Sequence, residues 1–221
     1  MNYNEQGIRA LQEERHEEAI EAFMKAIETS PEDAVAYINI GNVFAAVNDI
    51  EKAEQFFQQA ITLDEKAATA YYSLANLYYN VERFEEAAKL YEKAIQYEMT
   101  GADAYYMLGK CFEQLGNDKL ALPYVQRAAE LNMKDEQIQV TYGIILSKLE
   151  LFEEAQKVFH HVLKLNEDHA DAHYNLGMVY AVSTDDKEAA KHHLKRAYTI
   201  EPDHTQARYI YDMIEVGEQQ Q

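Results

Sequence analysis

Apolar and small residues in this chain keep helical spacing and lose it only at short polar breaks. Tyr71, Leu74, Ala75 and Tyr78 stand at offsets of 0, 3, 4 and 7, one face of a helix. Ala87, Tyr91 and Ala94 do the same on a second helix, and the stretch from Asn80 to Phe84 between them is short and polar. The spacing predicts two antiparallel helices, A and B, joined by a tight turn. Small residues stand at Gly7, Gly41, Ala75, Gly109, Gly143 and Gly177, every step being 34. Ala19, Ala53, Ala87, Ala121 and Ala155 keep the same period. So do the bulky rungs Phe23, Phe57, Tyr91, Val125 and Phe159, and the series Ala26, Ala60, Ala94, Ala128 and Val162. Four ladders in one phase predict a repeat architecture in which each hairpin buries its apolar face on its neighbours. A small residue at the Gly41 position lets helix B approach helix A. A bulky one there would overpack the pair at a cost of about 1–3 kcal/mol.

The stretch Tyr37-Ile-Asn-Ile-Gly-Asn-Val-Phe44 is followed by Ala53, Phe57 and Ala60. Tyr105-Tyr-Met-Leu-Gly109 is followed by Phe112 and Ala121, and His173-Tyr-Asn-Leu-Gly177 by Tyr180. Over almost the whole chain this resembles the tetratricopeptide repeat. The resemblance implies an all-α, right-handed superhelical solenoid of six helix pairs and a C-terminal capping helix. The pairs would occupy residues 1–33, 34–67, 68–101, 102–135, 136–169 and 170–204, with the cap and a short tail at 205–221. The sixth pair reads one residue late in its second half, with Ala190, Leu194, Ala197 and Pro202 as rungs, and the segment from Ser183 to Asp186 would absorb the insertion. The family's closing proline stands only at Pro31 and Pro202. Pro123 falls in helix B of the fourth pair and is tolerable within about the first turn. The capping helix is expected to run from Thr205, its N-cap, to Val216, with a polar outer face and a frayed tail from Gly217.

Composition narrows the chemistry. With 3 prolines and 8 glycines among 221 residues, turn-rich all-β folds and glycine-rich cofactor loops are disfavoured. Lys+Arg is 20 against Asp+Glu 39, a formal charge of −19, which argues against a nucleic-acid partner and against anionic membrane surfaces. Part of that charge has a local explanation: Glu17-Glu18, Glu85-Glu86 and Glu153-Glu154 open B helices, where the dipole favours acids by about 0.3–1 kcal/mol each. Cys111 is the single cysteine, so no intrachain disulfide and no cysteine-rich zinc site can form, and a buried, inert thiol is expected. The first residues carry neither a basic nor an apolar leader region, and no apolar run reaches membrane-spanning length; the expected location is the cytoplasm. No phosphate loop, dinucleotide, zincin or nucleophile-elbow motif is present, so the chain reads as a non-enzyme that needs no cofactor. His169 and His173 have a spacing that can hold a metal on one helical face, which leaves a metal-dependent enzyme as a third class. The doublets His160-His161 and His192-His193 point their rings about 100° apart and form no site alone.

In the family the concave face is lined mainly by helix A. Beside the packing stripe of Tyr71, Ala75 and Tyr78 runs a second stripe, expected to be free for a ligand, of Tyr72, Asn76 and Tyr79. Followed through the repeats, with Ile38 also on it, it supplies the candidate peptide-binding residues. These are Asn39, Asn42, Tyr72, Asn76, Tyr79, Asp103, Tyr106, Lys110, Glu113, Asp171 and Asn175. Asn amides can bridge a peptide unit and tyrosines give flat area with a polar tip. The alternatives are that the asparagines are scaffold residues and that the tyrosines pack between repeats. Some family members clamp acidic tails with basic A-helix side chains. Here the matching positions are Ile38, Thr69 and Ser73, so that reading fails, and Asp103, Glu113 and Asp171 suggest instead a Lys/Arg-rich or neutral peptide. The main reading is an interaction adaptor for a protein or peptide ligand. The competing one is a structural scaffold that self-associates through its ends or convex face.

Overall fold

The computed structural model describes residues 2–184 and 186–219. They form thirteen helices and no strand. The chain divides into two compact units, residues 1–116 and 117–221. The first holds α1 (Tyr3–Gln12), α2 (His16–Thr29), α3 (Ala34–Ala46), α4 (Ile50–Leu63), α5 (Ala68–Asn80), α6 (Phe84–Gln96) and α7 (Ala102–Gln114). The second holds α8 (Asp118–Leu131), α9 (Glu136–Lys148), α10 (Phe152–Leu165), α11 (Ala170–Ser183), α12 (Lys187–Ile200) and α13 (Thr205–Gln219). Within each unit every helix packs on the next one along the chain, so the hairpins form a stack.

The ladders explain the stack. Phe23, Phe57, Tyr91 and Phe159 are fully buried, as are Ala19, Ala53, Ala87 and Ala155. An added Cβ at Gly7, Gly41 or Gly143 would lie 2.4, 2.6 or 2.6 Å from the Phe23, Phe57 or Phe159 ring, so the ring of helix B lies directly on the glycine of helix A. The glycine and its ring are 16 residues apart in those three hairpins, but Gly177 meets Leu194, 17 residues on. The sixth hairpin is therefore one residue longer before its rung. The turn expected to absorb that residue includes Asp185, which lies outside the described residues.

The tight A–B turns have a device that the side chains do not announce. Glu14, Asn48, Glu82, Gly116 and Glu150 all have positive φ, between 57° and 71°, and they too recur every 34 residues. Each non-glycine member lets the next N–H reach back five residues, as in Arg15 to the Ala10 carbonyl (2.8 Å) and Arg83 to the Tyr78 carbonyl (2.8 Å). An L-residue in the left-handed region costs about 1–2 kcal/mol, and glycine returns about half of that to the unfolded chain as entropy. Glu82→Gly, or the same change at Glu14 or Glu150, is therefore expected to raise stability by about 0.5–1 kcal/mol. Urea midpoints test this. Thr184→Gly should instead destabilise, because Thr184 has a φ of −138° and its hydroxyl bonds both the Tyr180 carbonyl and the Asp186 N–H.

Three local expectations change. Pro123 is the sixth residue of α8, beyond the first turn, so the Lys119 carbonyl loses its helical donor; both residues are exposed, and water can take its place. The cap of α13 is His204, not Thr205: its Nδ1 accepts the Ala207 N–H at 3.2 Å, as His169 Nδ1 accepts that of Ala172 at 3.4 Å. The helix also continues past Val216 to Gln219, and residues 220–221 of the expected tail lie outside the described residues.

Candidate functional site

Helices α3, α5 and α7 of the first unit carry most of the candidate residues. The rung Tyr91, rising from α6, organises the middle of them. Its ring is fully buried and meets Tyr72 edge-on at 5.5 Å, and its hydroxyl donates to Asn76 Oδ1. That bond fixes the Asn76 amide with its carbonyl on Tyr91, and its N–H end hydrogen-bonds the Tyr72 hydroxyl, whose pKa it lowers. Burial first, then Cys111, Tyr72 and Tyr79, push the Tyr91 hydroxyl far above its ordinary pKa, so it stays a donor. Asn42 stands 34 residues earlier on α3, where the rung is Phe57, which has no hydroxyl. Half-buried Asn42 has no hydrogen bond to a described side chain, and Asn39 keeps its Nδ2 buried without a partner.

The neighbouring residues are tied together in part. Tyr79 lies edge-on to Phe84 at 5.2 Å. Burial raises its pKa most, with Lys110 opposing and Cys111, Tyr106 and Glu113 adding. Lys110 Nζ donates to Glu113 at 2.5 Å, and both side chains are sheltered. Burial pulls the Lys110 pKa down, but the bond and charge of Glu113 outweigh it and the net shift is upward. The Glu113 carboxylate is thus matched within its own helix and adds little negative field. Asp103, exposed in the first turn of α7, raises the pKa of Tyr72, second to burial. Tyr106 is half-buried. Ile38, expected on the free stripe, is only 6% exposed, because an A helix inside a stack is flanked on both sides. The thiol of Cys111 is buried and pushed up to about 12 by burial, which makes it a poor nucleophile.

Asp171 and Asn175 lie on α11 of the second unit. Asn175 Nδ2 donates to the Asp171 carbonyl at 2.8 Å, so much of its amide serves its own helix, while the Asp171 side chain is exposed. The histidines gather here. His173 Nε2 donates to the Glu167 carbonyl (3.0 Å) and its Nδ1 meets His193 Nδ1 at 2.9 Å, so both ring nitrogens are engaged. His169 uses Nδ1 as a cap. The spacing of four therefore does not bring two open nitrogens together, and among the described residues no group of three or more His, Cys, Asp or Glu is placed to hold a metal. No described helix is long and apolar enough to cross a membrane.

Comparison with known proteins agrees with this architecture. The family model of the C-terminal domain of cilia and flagella-associated protein 70 matches residues 7–178, and a tetratricopeptide-repeat model matches residues 170–204. The solved structure of YrrB, described as a TPR protein with an unusual peptide-binding site, is 42% identical, with a TM-score of 0.82 over 88% of this chain and 100% of that one. By sequence, TPR repeat-containing protein YrrB of Bacillus subtilis (strain 168) is 51% identical over 41 residues, 19% of this chain, a match that spans 20% of that relative's length. MamA (19% identical, TM-score 0.72, 80% of this chain and 96% of that one) and Pseudomonas aeruginosa pilF (19%, 0.78, 96% of each) share the fold. With its 34-residue hairpins, its glycine-on-ring contacts and these matches, the chain belongs to the tetratricopeptide-repeat family.

Proposed function

We propose that the chain is a non-covalent adaptor, acting in the cytoplasm, that holds an extended peptide or protein segment on the A-helix face of its first unit. The observation that carries this is the Asn76 amide, its carbonyl locked by Tyr91, with the unlocked Asn42 one repeat away. Two amides at this spacing suit the carbonyls of an extended chain, and Tyr72, Tyr79 and Tyr106 supply flat apolar area around them. The peptide-binding site described for the 42% identical YrrB supports the reading. Since Lys110 and Glu113 neutralise each other, Asp103 is the charge left to a ligand, and the preferred segment is basic or neutral.

Panning a random peptide library against the full chain tests this. Selected peptides are expected to lose about 1–3 kcal/mol, roughly 5- to 150-fold in Kd, with Asn42→Ala and Asn76→Ala combined. Asn76→Asp keeps the acceptor for Tyr91 but removes the donors, and should cost nearly as much as Asn76→Ala. Asp103→Lys should weaken only Lys/Arg-rich peptides. Equal affinity for the double variant would refute the reading.

A further inference from the structure

Helix α13 occupies an A-helix place, and no B helix follows it among the described residues. Its register is fixed twice. His204 caps it through the Ala207 N–H as His169 caps α11 through that of Ala172, and Ala207 and Ala172 are both fully buried. Each pair is 35 residues apart. In the complete hairpins the rung of helix B rests on the small residue of helix A, and in the third hairpin it also meets the residue after that position and the one three before it, a seat of three residues. Tyr91 meets Tyr72 and Asn76 in this way, and Phe57 lies on Gly41. Moved 35 residues on from Tyr174, Gly177 and Met178, the seat on α13 is Tyr209, Asp212 and Met213. It stands open. Tyr209 is 63% exposed, Met213 54% and Val216 53%, and with Asp212 and Gly217 they line a cleft. The opposite face of α13 packs through Ala207, Ile210, Tyr211 and Ile214 against Leu194 and Ala197. The outer face is thus not the polar one expected of a terminal cap.

The chemistry of the seat selects its occupant. Gly7, Gly41 and Gly143 admit a ring so close that even a Cβ would clash, and here the position holds a carboxylate, which an aromatic rung would cover without pairing its charge. A long unbranched cation can. Its methylene stem would lie over Met213 and the Tyr209 ring, and its guanidinium would meet Asp212 in a bidentate pair. Arg208 does not fill this role, since its guanidinium lies over the Tyr198 ring at 5.1 Å. The chain's charge of −19 adds a long-range attraction for a basic partner. We propose that this cleft is a second docking site, taking an amphipathic helix of a partner protein that sets an arginine on Asp212 and apolar neighbours on Tyr209, Met213 and Val216.

The probe is a labelled 16-residue helical peptide with the B-helix pattern Ala-x3-Arg-x2-Ala, titrated by anisotropy against the full chain. Asp212→Arg and Met213→Glu, both at exposed positions, are each expected to raise Kd at least tenfold without moving the melting temperature. A Glu-centred peptide should regain binding to Asp212→Arg. Asn42→Ala with Asn76→Ala should leave Kd unchanged, which separates this site from the A-helix face of the first unit. A Leu-centred peptide that binds the unaltered chain as tightly, or an Arg peptide indifferent to both α13 variants, would overturn the proposal. So would a concentration-dependent dimer abolished by Met213→Glu, which would make a second copy the occupant.

Discussion

Phe57→Ala is expected to destabilise the protein by about 3–5 kcal/mol, as for other fully buried aromatic rings. Gly41→Val should cost about 1–3 kcal/mol, because the ring 2.6 Å from the new Cβ is enclosed and cannot retreat. The two losses should not add. Once the ring is gone, the valine methyls enter the space it vacated, and the double variant should recover on the order of 1–3 kcal/mol of the sum. Gly143→Val with Phe159→Ala should behave alike in the second unit, since the geometry there is the same. Denaturant unfolding of the four chains in each cycle measures the coupling. Additive losses would mean that Gly41 is small for a reason other than the ring, and the account of hairpin closure would fall with it.

The same contact shows what the sequence makes legible and what it hides. Glycine, alanine and ring ladders are readable because close packing leaves few residue types that fit, and even the late rung of the sixth hairpin shows in Ala190, Leu194 and Ala197. The left-handed turn ladder is not readable by residue type, because Glu14, Asn48, Glu82 and Glu150 stand where glycine would signal it; only their shared period with Gly116 could have found it. The His204 cap is hidden for a similar reason, since Thr205 beside it is the commoner capping type. At the candidate site, helical spacing places a side chain on a face but does not say what else reaches that face. Tyr91 locks Asn76 from another helix, Lys110 neutralises Glu113, Asn175 turns back to its own backbone, and Ile38 is covered by the stack. Such contacts depend on the hydroxyl or methylene that a neighbouring element brings, which no one-dimensional period encodes.

The histidines of the second unit make the next expected result one of pH. His193, on α12, is held to about 4, by burial first and then by His173, His192 and His160. His173 donates through Nε2 to the Glu167 carbonyl, so when neutral its Nδ1 can only accept, and His193 Nδ1–H must be the donor between them. A proton on His173 would set two N–H groups face to face. The surroundings do not welcome it either: burial lowers the pKa of His173 and of His160, Arg196 adds to the first and Lys164 to the second, and Tyr180 stacks parallel on His193 at 5.7 Å. The Glu167 carbonyl, second to burial, and Asp168, last, pull His173 the other way, but the net shift is downward. The unfolded chain protonates His193 near pH 6.5 and the folded chain only near pH 4, so between them the unfolded state binds more protons and stability rises with pH. The contribution is complete above about pH 6.5 and is lost as pH falls toward 4. Discounted for the part of the ring in contact with water, it amounts to on the order of 1–2 kcal/mol. His193→Phe, which copies Phe56 one rung place earlier in the second hairpin, should flatten the stability slope between pH 7.5 and 5. His161→Gln, whose ring bonds the Met133 carbonyl outside the cluster, should keep it. An unchanged slope in His193→Phe would show that the acid sensitivity lies in other groups, and that the Nδ1 pair is packing alone.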